Sequence, residues 1–155
     1  MGFFCKRNMD TKYINEILTK DIQSLGLSIW GVELFGRHNN QTLRIYIDNK
    51  EGVSIEDCER VSKHVIKVLD ADNDFSSKYL LEVSSPGLDR KFFFDHQYKD
   101  YIDCYLKVKY MNVCRDEILV KGVITKVDDS GLLLVSEQET IEVPFSSIIK
   151  ANLIM

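Results

Sequence analysis

The stretch LEVSSPGLDR, residues 81–90, separates two parts of the chain with different hydrophobic patterns. Its first three residues end a predicted strand, and residues 85–88 (SPGL) fit a type II turn. Proline presets the second residue of such a turn, and glycine accepts the positive φ of the third. Asp89 and Arg90 follow this stiff turn, where they are available for an ion pair or a docking contact. A rigid connector between two domains is the simplest interpretation of the stretch.

Two helices are predicted before this turn. Apolar residues recur at helical spacing after Asp10, a candidate N-cap, and the helix ends at Gly26. A second helix follows Ser54, whose spacing to Asp57 resembles a capping box. Cys58 lies on the apolar face of that helix, which predicts a small buried hydrophobe rather than a reactive thiol.

Three strands accompany these helices, each marked by alternating or continuous apolar residues: 27–35, 42–48 and 79–83. In the first strand, period-two alternation places Trp30, Val32 and Leu34 on one face. The order α-β-β-α-β predicts an α+β sandwich in which both helices cover one face of the sheet. Periodicity begins only after Met9, so we expect Met9 to be the native start and the domain to span residues 9–90.

The pattern after the turn is wholly β. About five short strands are predicted within residues 101–155, and Pro144 marks a strand end or a sheet edge. So many short strands in so short a segment predict a small SH3-like or Sm-like barrel. Residues 91–100 are short and aromatic and are predicted to form a linker helix, which leaves residues 101–155 as the second domain.

Charge narrows the classes of partner. The 155 residues carry 20 Lys and Arg against 24 Asp and Glu, a formal net charge of −4. Basic and acidic residues number 12 and 14 up to Arg90, and 8 and 10 beyond it. A predominantly electrostatic nucleic-acid binder is normally basic, so neither half reads as a basic module. The acidity favours a basic partner instead.

A membrane span, a metal site and a dense disulfide frame are not expected, while pairing of buried cysteines stays open as an alternative. No apolar stretch is long enough to span a bilayer, and the N-terminus lacks a signal-peptide core, so we expect a cytoplasmic protein. The four cysteines show neither CxxC spacing nor a dense disulfide pattern; they are Cys5, Cys58, Cys104 and Cys114. We therefore predict no metal site and no cofactor.

An enzyme is an unfavoured alternative. Ser84 and Ser85 could suggest a nucleophile, but the chain has neither a GxSxG elbow nor a phosphate-binding loop. The histidines have no carboxylate at an informative spacing; they are His38, His64 and His96. The carboxylates on predicted strands would converge only by chance of register; they are Glu33, Asp48 and Glu82. No catalytic residue and no small-molecule substrate are predicted.

A direct RNA-binding module is a second alternative. The α-β-β-α-β order is shared with KH-type domains, but the GxxG loop that clamps nucleotides in those domains is absent here. An aromatic cluster could stack on bases; its members are Phe92, Phe93, Phe94, Tyr98 and Tyr101. Such a cluster more often packs a linker helix against a barrel.

Residues 81–90 resemble the hallmark of the bacterial ribosome maturation factor RimP family. Four further segments resemble the family pattern in the same order: WGVEL (30–34), LRIYID (43–48), GVSIEDC (52–58) and IEVPFSSIIKA (141–151). The resemblance extends from about Met9 to Leu153. It implies an N-terminal α/β domain followed by an SH3-like barrel, which agrees with the periodicity.

The resemblance also implies a function. Members of the family are non-catalytic, cytoplasmic assembly factors that bind the free or immature small ribosomal subunit. They aid late folding of the small-subunit rRNA and incorporation of ribosomal protein uS twelve. We expect a monomer whose partners are that protein and the rRNA, with a direct RNA-binding module acting on rRNA as the alternative.

The predicted partner-binding residues all lie in the junction stretch: Ser84, Ser85, Gly87, Asp89 and Arg90. Asp89 is expected to pair with a basic side chain of a ribosomal protein, and Arg90 to brace the turn or contact rRNA phosphate. An equally simple interpretation limits both to the domain interface. Lys91 stands where the family commonly has proline, and the loop 111–117 is less basic than in the family, which argues against an rRNA contact there.

Overall fold

The computed structural model describes residues 10–37, 40–72, 79–137 and 139–154. The expected start at Met9, and the prediction made for His38, lie outside these residues. The chain divides into two compact units, the first ending at Pro86 and the second beginning at Gly87. Each unit is described on its own.

The first unit has the predicted α-β-β-α-β order. Its elements are α1 (Thr11–Ser24), β1 (Ser28–Arg37), β2 (Asn40–Asp48), α2 (Ile55–Ala71) and β3 (Tyr79–Ser84). The strands form one sheet in the order β1-β2-β3. Strands β1 and β2 pair antiparallel, whereas β2 and β3 pair parallel. A parallel pair needs a long crossover between its strands, and α2 provides it.

Both helices begin at the predicted caps. The Asp10 carboxylate accepts a hydrogen bond from the Lys12 N–H at 3.0 Å. Ser54 and Asp57 form a reciprocal capping box, in which each side chain accepts the other's backbone N–H at 3.0 Å. The N–H of Ser54, helped by the Arg60 guanidinium, lowers the pKa of Asp57. The helix start is therefore specified locally by two residues.

The core of the first unit lies between the two helices and one face of the sheet. Its fully buried members come from α1, β2 and α2: Ile14, Leu18, Ile22, Leu43, Ile45, Ile47, Val61, Val65 and Leu69. Cys58 is half-buried and packs against this core, and burial raises the pKa of its thiol. The interpretation of Cys58 as a packing residue agrees with this environment.

The prediction that Trp30, Val32 and Leu34 share one face is wrong for Trp30. The register between β1 and β2 shifts around Trp30, so that β1 contains one extra residue there. Because of this bulge, Ile29 and Val32 both lie opposite core residues of β2. Trp30 is only 9% exposed, yet it is not a member of the core cluster.

The described residues of the second unit form strands and two short 3₁₀ helices, Asp95–Tyr101 and Phe145–Ser147. Its strands are β4 (Tyr105–Met111), β5 (Glu117–Val127), β6 (Gly131–Val135), β7 (Thr140–Pro144) and β8 (Ile148–Leu153). They form one antiparallel sheet in the order β7-β6-β5-β4-β8. The predicted five strands are confirmed, and Pro144 ends an edge strand as expected.

Hydrogen bonds do not close this sheet. Among the described strands no ladder joins β7 to β8, so the sheet is not a closed barrel. The segment predicted as a linker begins as a neighbour of β8, since Phe92 N–H donates to the Ala151 carbonyl at 2.9 Å. Lys91 and Asn152 form an isolated antiparallel bridge beside that bond.

Replacing Ile45 by alanine is expected to lower the free energy of unfolding of the first unit by about 2–5 kcal/mol, because its fully buried side chain lies on the central strand. Chemical denaturation followed by tryptophan fluorescence tests this, since Trp30 is the single tryptophan of the chain and reports on this unit. The matched control is Ile55→Ala, at a residue 80% exposed, which should change that free energy by about 0.5 kcal/mol or less. Equal losses in the two variants would contradict the described core.

Candidate functional site

The two junction serines lie at the end of the first unit. Ser84 is the last residue of β3, and both serines are exposed. The Ser84 hydroxyl donates a hydrogen bond to the Ser85 carbonyl at 2.9 Å. Within the described residues, neither hydroxyl is hydrogen-bonded to a histidine or a carboxylate. Neither serine therefore has the base that an activated nucleophile requires.

Gly87 has the backbone conformation that the predicted turn requires. Its φ is +80°, the left-handed value expected at the third residue of a type II turn. The chain then turns again at Leu88 and Asp89. A Cβ atom at Gly87 would lie 3.4 Å from the Asp89 carboxylate, an ordinary contact distance. The backbone angle, rather than lack of space, is what favours glycine here.

Asp89 and Arg90 have different surroundings in the second unit. Asp89 is exposed and lines a depression of about 460 Å³ together with Lys107 and Lys121. Arg90 is half-buried; its guanidinium carbon lies 5.5 Å from the centroid of the Tyr101 ring. The Arg90 carbonyl also accepts a hydrogen bond from Leu153 N–H at 3.0 Å. Both contacts fit the bracing role expected for Arg90.

The five predicted partner-binding residues do not all belong to one unit. Ser84 and Ser85 end the first unit, whereas Gly87, Asp89 and Arg90 begin the second. The exposed polar groups that they offer to a partner are the two hydroxyls and the Asp89 carboxylate. Their role in binding stays a prediction.

An organised polar row crosses the exposed side of the first sheet, and sequence reasoning missed it. Strand pairing places Glu33 and Glu82 on either side of Arg44. Nε and Nη2 of Arg44 both lie 2.7 Å from Oε2 of Glu82. The Tyr46 hydroxyl donates to Oε1 of Glu33, also at 2.7 Å. Hydrogen bonds to Tyr46 and Glu82 raise the pKa of Arg44, and burial raises that of Tyr46.

Two of the three strand carboxylates therefore do converge, because the register of β1, β2 and β3 places them in one row. Asp48 does not join them, since it pairs with Ser28 at the end of β2. Arg44 and Tyr46 engage Glu82 and Glu33 respectively. The row is an ion-pair and hydrogen-bond network rather than a pair of free carboxylates poised for acid–base chemistry.

Apolar side chains border this network. Phe35 is 43% exposed, and the guanidinium carbon of Arg44 lies 4.8 Å from the centroid of the Phe35 ring. Leu80 is 60% exposed. Ser84 lies beside Tyr46 in the ladder between β2 and β3. We call this surface the outer sheet face; it consists of Glu33, Phe35, Arg44, Tyr46, Leu80, Glu82 and Ser84. Exposed aromatic and arginine side chains together are typical of protein-binding surfaces.

Two members of the aromatic cluster are packing residues. Phe92 and Tyr98 are 7% and 4% exposed, and their rings stack with centroids 4.4 Å apart. Tyr101 meets Phe92 edge-on at 5.3 Å, and Phe145 stacks on Tyr98 at 5.6 Å. Burial strongly raises the pKa of Tyr98. Neither Phe92 nor Tyr98 is available to stack on a base, which confirms the packing interpretation for both.

The described histidines and cysteines show no constellation for catalysis or metal binding. Nε2 of His64 lies 3.3 Å from Oδ1 of Asp21, and so links the two helices, and His96 stacks on Phe94. Within residues 10–37, 40–72, 79–137 and 139–154, no group of three or more His, Cys, Asp or Glu could hold a metal ion. No helix in the same residues is long and apolar enough to cross a membrane.

Residues 17–89 match the family model of the RimP N-terminal domain. The chain belongs to the RimP family. The match includes β1, β2, α2 and β3 and ends at Asp89, so it covers the outer sheet face and all of the junction stretch except Arg90. This is a family of ribosome maturation factors. The resemblance seen in the sequence is thereby confirmed for the segments within residues 17–89, whereas the segment 141–151 lies outside the match.

Replacing Tyr98 by phenylalanine is expected to reduce the loss of stability at alkaline pH. In the unfolded chain this phenol ionises at about pH 10, whereas in the folded protein burial keeps it protonated to higher pH. The contribution of the phenol to the free energy of unfolding is therefore fully present below about pH 10. It decreases as the pH rises above that value, by at most about 1.4 kcal/mol per pH unit. Thermal unfolding followed by near-ultraviolet circular dichroism between about pH 8 and about pH 11 measures the slope.

The matched control for this prediction is Tyr105→Phe, because Tyr105 is exposed on β4. That variant should keep the wild-type dependence on pH. A Tyr98→Phe variant with the same alkaline slope as the wild type would show that burial does not hold this phenol protonated.

Proposed function

We propose that this RimP-family protein is an assembly factor that binds the free or immature small ribosomal subunit. It aids late folding of the small-subunit rRNA and incorporation of ribosomal protein uS twelve. The match of residues 17–89 to the RimP N-terminal domain is the observation that carries the proposal. The family implies association with the small ribosomal subunit.

In this proposal the protein is a cytoplasmic, monomeric binding factor that has no catalytic residue, cofactor or small-molecule substrate. Two features support the absence of catalysis. The hydroxyls of Ser84 and Ser85 have no activating base among the described residues. The carboxylates of Glu33 and Glu82 are engaged by Tyr46 and Arg44 rather than free to transfer protons.

We also propose that the second unit curls into a small SH3-like barrel that is left open, without hydrogen bonds, between β7 and β8. One face of its sheet supplies fully or almost fully buried side chains from all five strands: Leu106, Val108, Ile124, Leu132, Leu134, Val143 and Ala151. In the part of this unit that the structure describes, the helical elements are two short 3₁₀ helices, which offer little surface to cover that face. A sheet can bury one face without helices by folding over itself, as a barrel does.

The outer sheet face and the residues of the junction stretch are proposed to bind protein, each within its own unit. The partner-binding residues are Ser84, Ser85, Gly87, Asp89 and Arg90. Ser84 extends the outer sheet face of the first unit. In the second unit Asp89 offers an exposed carboxylate to a basic ribosomal protein, and Arg90 braces the chain next to it through Tyr101 and Leu153. An acidic protein steers toward a basic partner, and the net charge of −4 suits this role.

The alternative function, a direct RNA-binding module acting on rRNA, is favoured by one observation. Lys107 on β4 lies directly opposite Lys121 on β5, so two positive charges stand side by side on one face of the second unit. Affinity for rRNA fragments without any ribosomal protein, decreasing steeply with salt, would support this alternative.

Sedimentation of a cell lysate through a density gradient tests the proposed function. The protein should migrate with free small ribosomal subunits and be absent from intact ribosomes, because an assembly factor leaves before translation begins. If the protein remained entirely in the slowly sedimenting fractions, the proposal would be wrong.

Replacing Asp89 by asparagine is expected to weaken binding to the ribosomal protein about tenfold, as the loss of one charge-assisted hydrogen bond does. Isothermal titration with purified ribosomal protein uS twelve measures the affinity. The matched control is Asp129→Asn, which removes an exposed carboxylate in the turn between β5 and β6 and should bind as the wild type does. Wild-type affinity of a correctly folded Asp89→Asn variant would remove Asp89 from the site.

A further inference from the structure

The second unit concentrates lysine side chains on one face of its sheet. Lys107 and Lys109 of β4 are two residues apart and therefore point to the same side. Lys107 pairs with Lys121 of β5, and Lys109 pairs with Lys150 of β8. Their neighbours Leu106 and Val108 are fully buried on the opposite side. We call this surface the lysine face; it consists of Lys107, Lys109, Lys121 and Lys150.

The lysine face contains two pairs of lysines that lie directly opposite each other on neighbouring strands, Lys107 with Lys121 and Lys109 with Lys150. Side chains so placed have Cβ atoms about 4.5–5.5 Å apart, and like charges at that distance destabilise a sheet. Lys109 is compensated by Glu117, whose carboxylate lies 3.0 Å from its ammonium. In the part of the chain that the structure describes, no ion pair joins Lys107, Lys121 or Lys150 to an acidic residue. Among the described residues only Lys109 therefore has a contact that compensates the repulsion, and packing gives no reason for placing the other three lysines beside it.

The acidic residues of the second unit lie mostly in other places. Asp128 and Asp129 form the turn between β5 and β6, and Glu142 lies on the edge strand β7. Glu117 and Asp89 are the acidic neighbours of the lysine face. The net charge of this half is negative, yet its charges are segregated by position. The expectation that neither half is a basic module concerned net charge, which does not show how the charges are distributed over the surface.

We propose that the lysine face binds the phosphate backbone of RNA. Lysine ammonium groups neutralise phosphates as point charges on flexible stems, so they can follow a backbone without reading its sequence. Neighbouring strands are about 4.8 Å apart and alternate residues along a strand about 6.7 Å apart, so the four lysines form a small lattice of positive charge.

An exposed ring beside the lysines favours RNA over an acidic peptide as the occupant. Tyr105 is 45% exposed and occupies the same side of β4 as Lys107. An aromatic ring next to a basic strip is the combination that binds single-stranded nucleic acid, because every base has a face that can stack. This proposal deepens the proposed function: RNA binding stands on the geometry alone, whereas the identification of that RNA as small-subunit rRNA rests on the proposed function.

The test replaces Lys107, Lys121 and Lys150 together by glutamine in the full chain. Fluorescence anisotropy with a labelled oligouridylate and with a small-subunit rRNA hairpin measures affinity at several salt concentrations. We expect the triple variant to bind at least about tenfold more weakly and the slope of log affinity against log salt to become shallower by about two. The matched control changes three exposed lysines of the first unit, Lys20, Lys63 and Lys67, to glutamine and alters the net charge equally.

The melting temperature of the triple variant distinguishes RNA binding from a structural role of the lysines, because loss of a structural role would lower it. Because glutamine removes the repulsion between the opposed lysines, the triple variant should unfold at the same or a higher temperature than the wild type. A variant that melts at a lower temperature would show that the lysines support the fold and would overturn the proposal. The single variant Lys121→Gln, at an exposed residue, then tests RNA binding with the least disturbance.

Three further results would overturn the proposal: no RNA binding by the wild type, equal RNA affinity in the triple variant and the control, or tighter binding of poly-glutamate than of RNA. Failure of the proposed function is distinguishable from these three results. If the wild type binds RNA through the lysine face but never migrates with small subunits, RNA binding by the lysine face is supported and the assembly function is wrong. If the protein migrates with small subunits but the triple variant binds RNA normally, only the proposal for the lysine face is wrong.

Discussion

Strand β2 has only one acceptable register, and both surfaces of the first unit depend on it. Leu43, Ile45 and Ile47 are fully buried against the helices, while Arg44 and Tyr46 between them face the other way. A shift of one residue would bury the guanidinium of Arg44 and expose the core residues, which makes that alternative very costly. The hydrophobic requirement of one face therefore dictates where the charged groups of the other face lie.

The outer sheet face follows from this constraint. Once β2 is fixed, its antiparallel pairing with β1 and its parallel pairing with β3 bring Glu33 and Glu82 to Arg44. The glutamates are 49 positions apart in the sequence, and only the crossover through α2 makes them neighbours. A surface of this kind is built by topology rather than by a local motif, and for that reason it carries no sequence signature of its own.

The features that were predicted correctly are the ones that depend on residues close in sequence. The cap at Asp10, the capping box at Ser54 and the positive φ of Gly87 each require no more than four consecutive residues. The bulge at Trp30 was missed because an extra residue in β1 is visible only against the partner strand. The same limit applies to the lysine pairs, whose opposition depends on two long-range registers.

The net charge of a domain is a poor guide to the partners it binds, because a partner contacts one surface and the net charge sums over all of them. The second unit is acidic in total, and yet β4, β5 and β8 bring four lysines to one side of its sheet. The two units thus differ in whether the charged side chains on these faces are paired with opposite charges. On the outer sheet face Arg44 is held between carboxylates and an aromatic ring, an arrangement that stabilises the protein itself. On the lysine face like charges lie opposite each other, and among the described residues only Lys109 has an acidic partner, Glu117, so the repulsion costs stability. The proposed function requires contacts with both protein and RNA, and the outer sheet face and the lysine face are the surfaces that we propose for them.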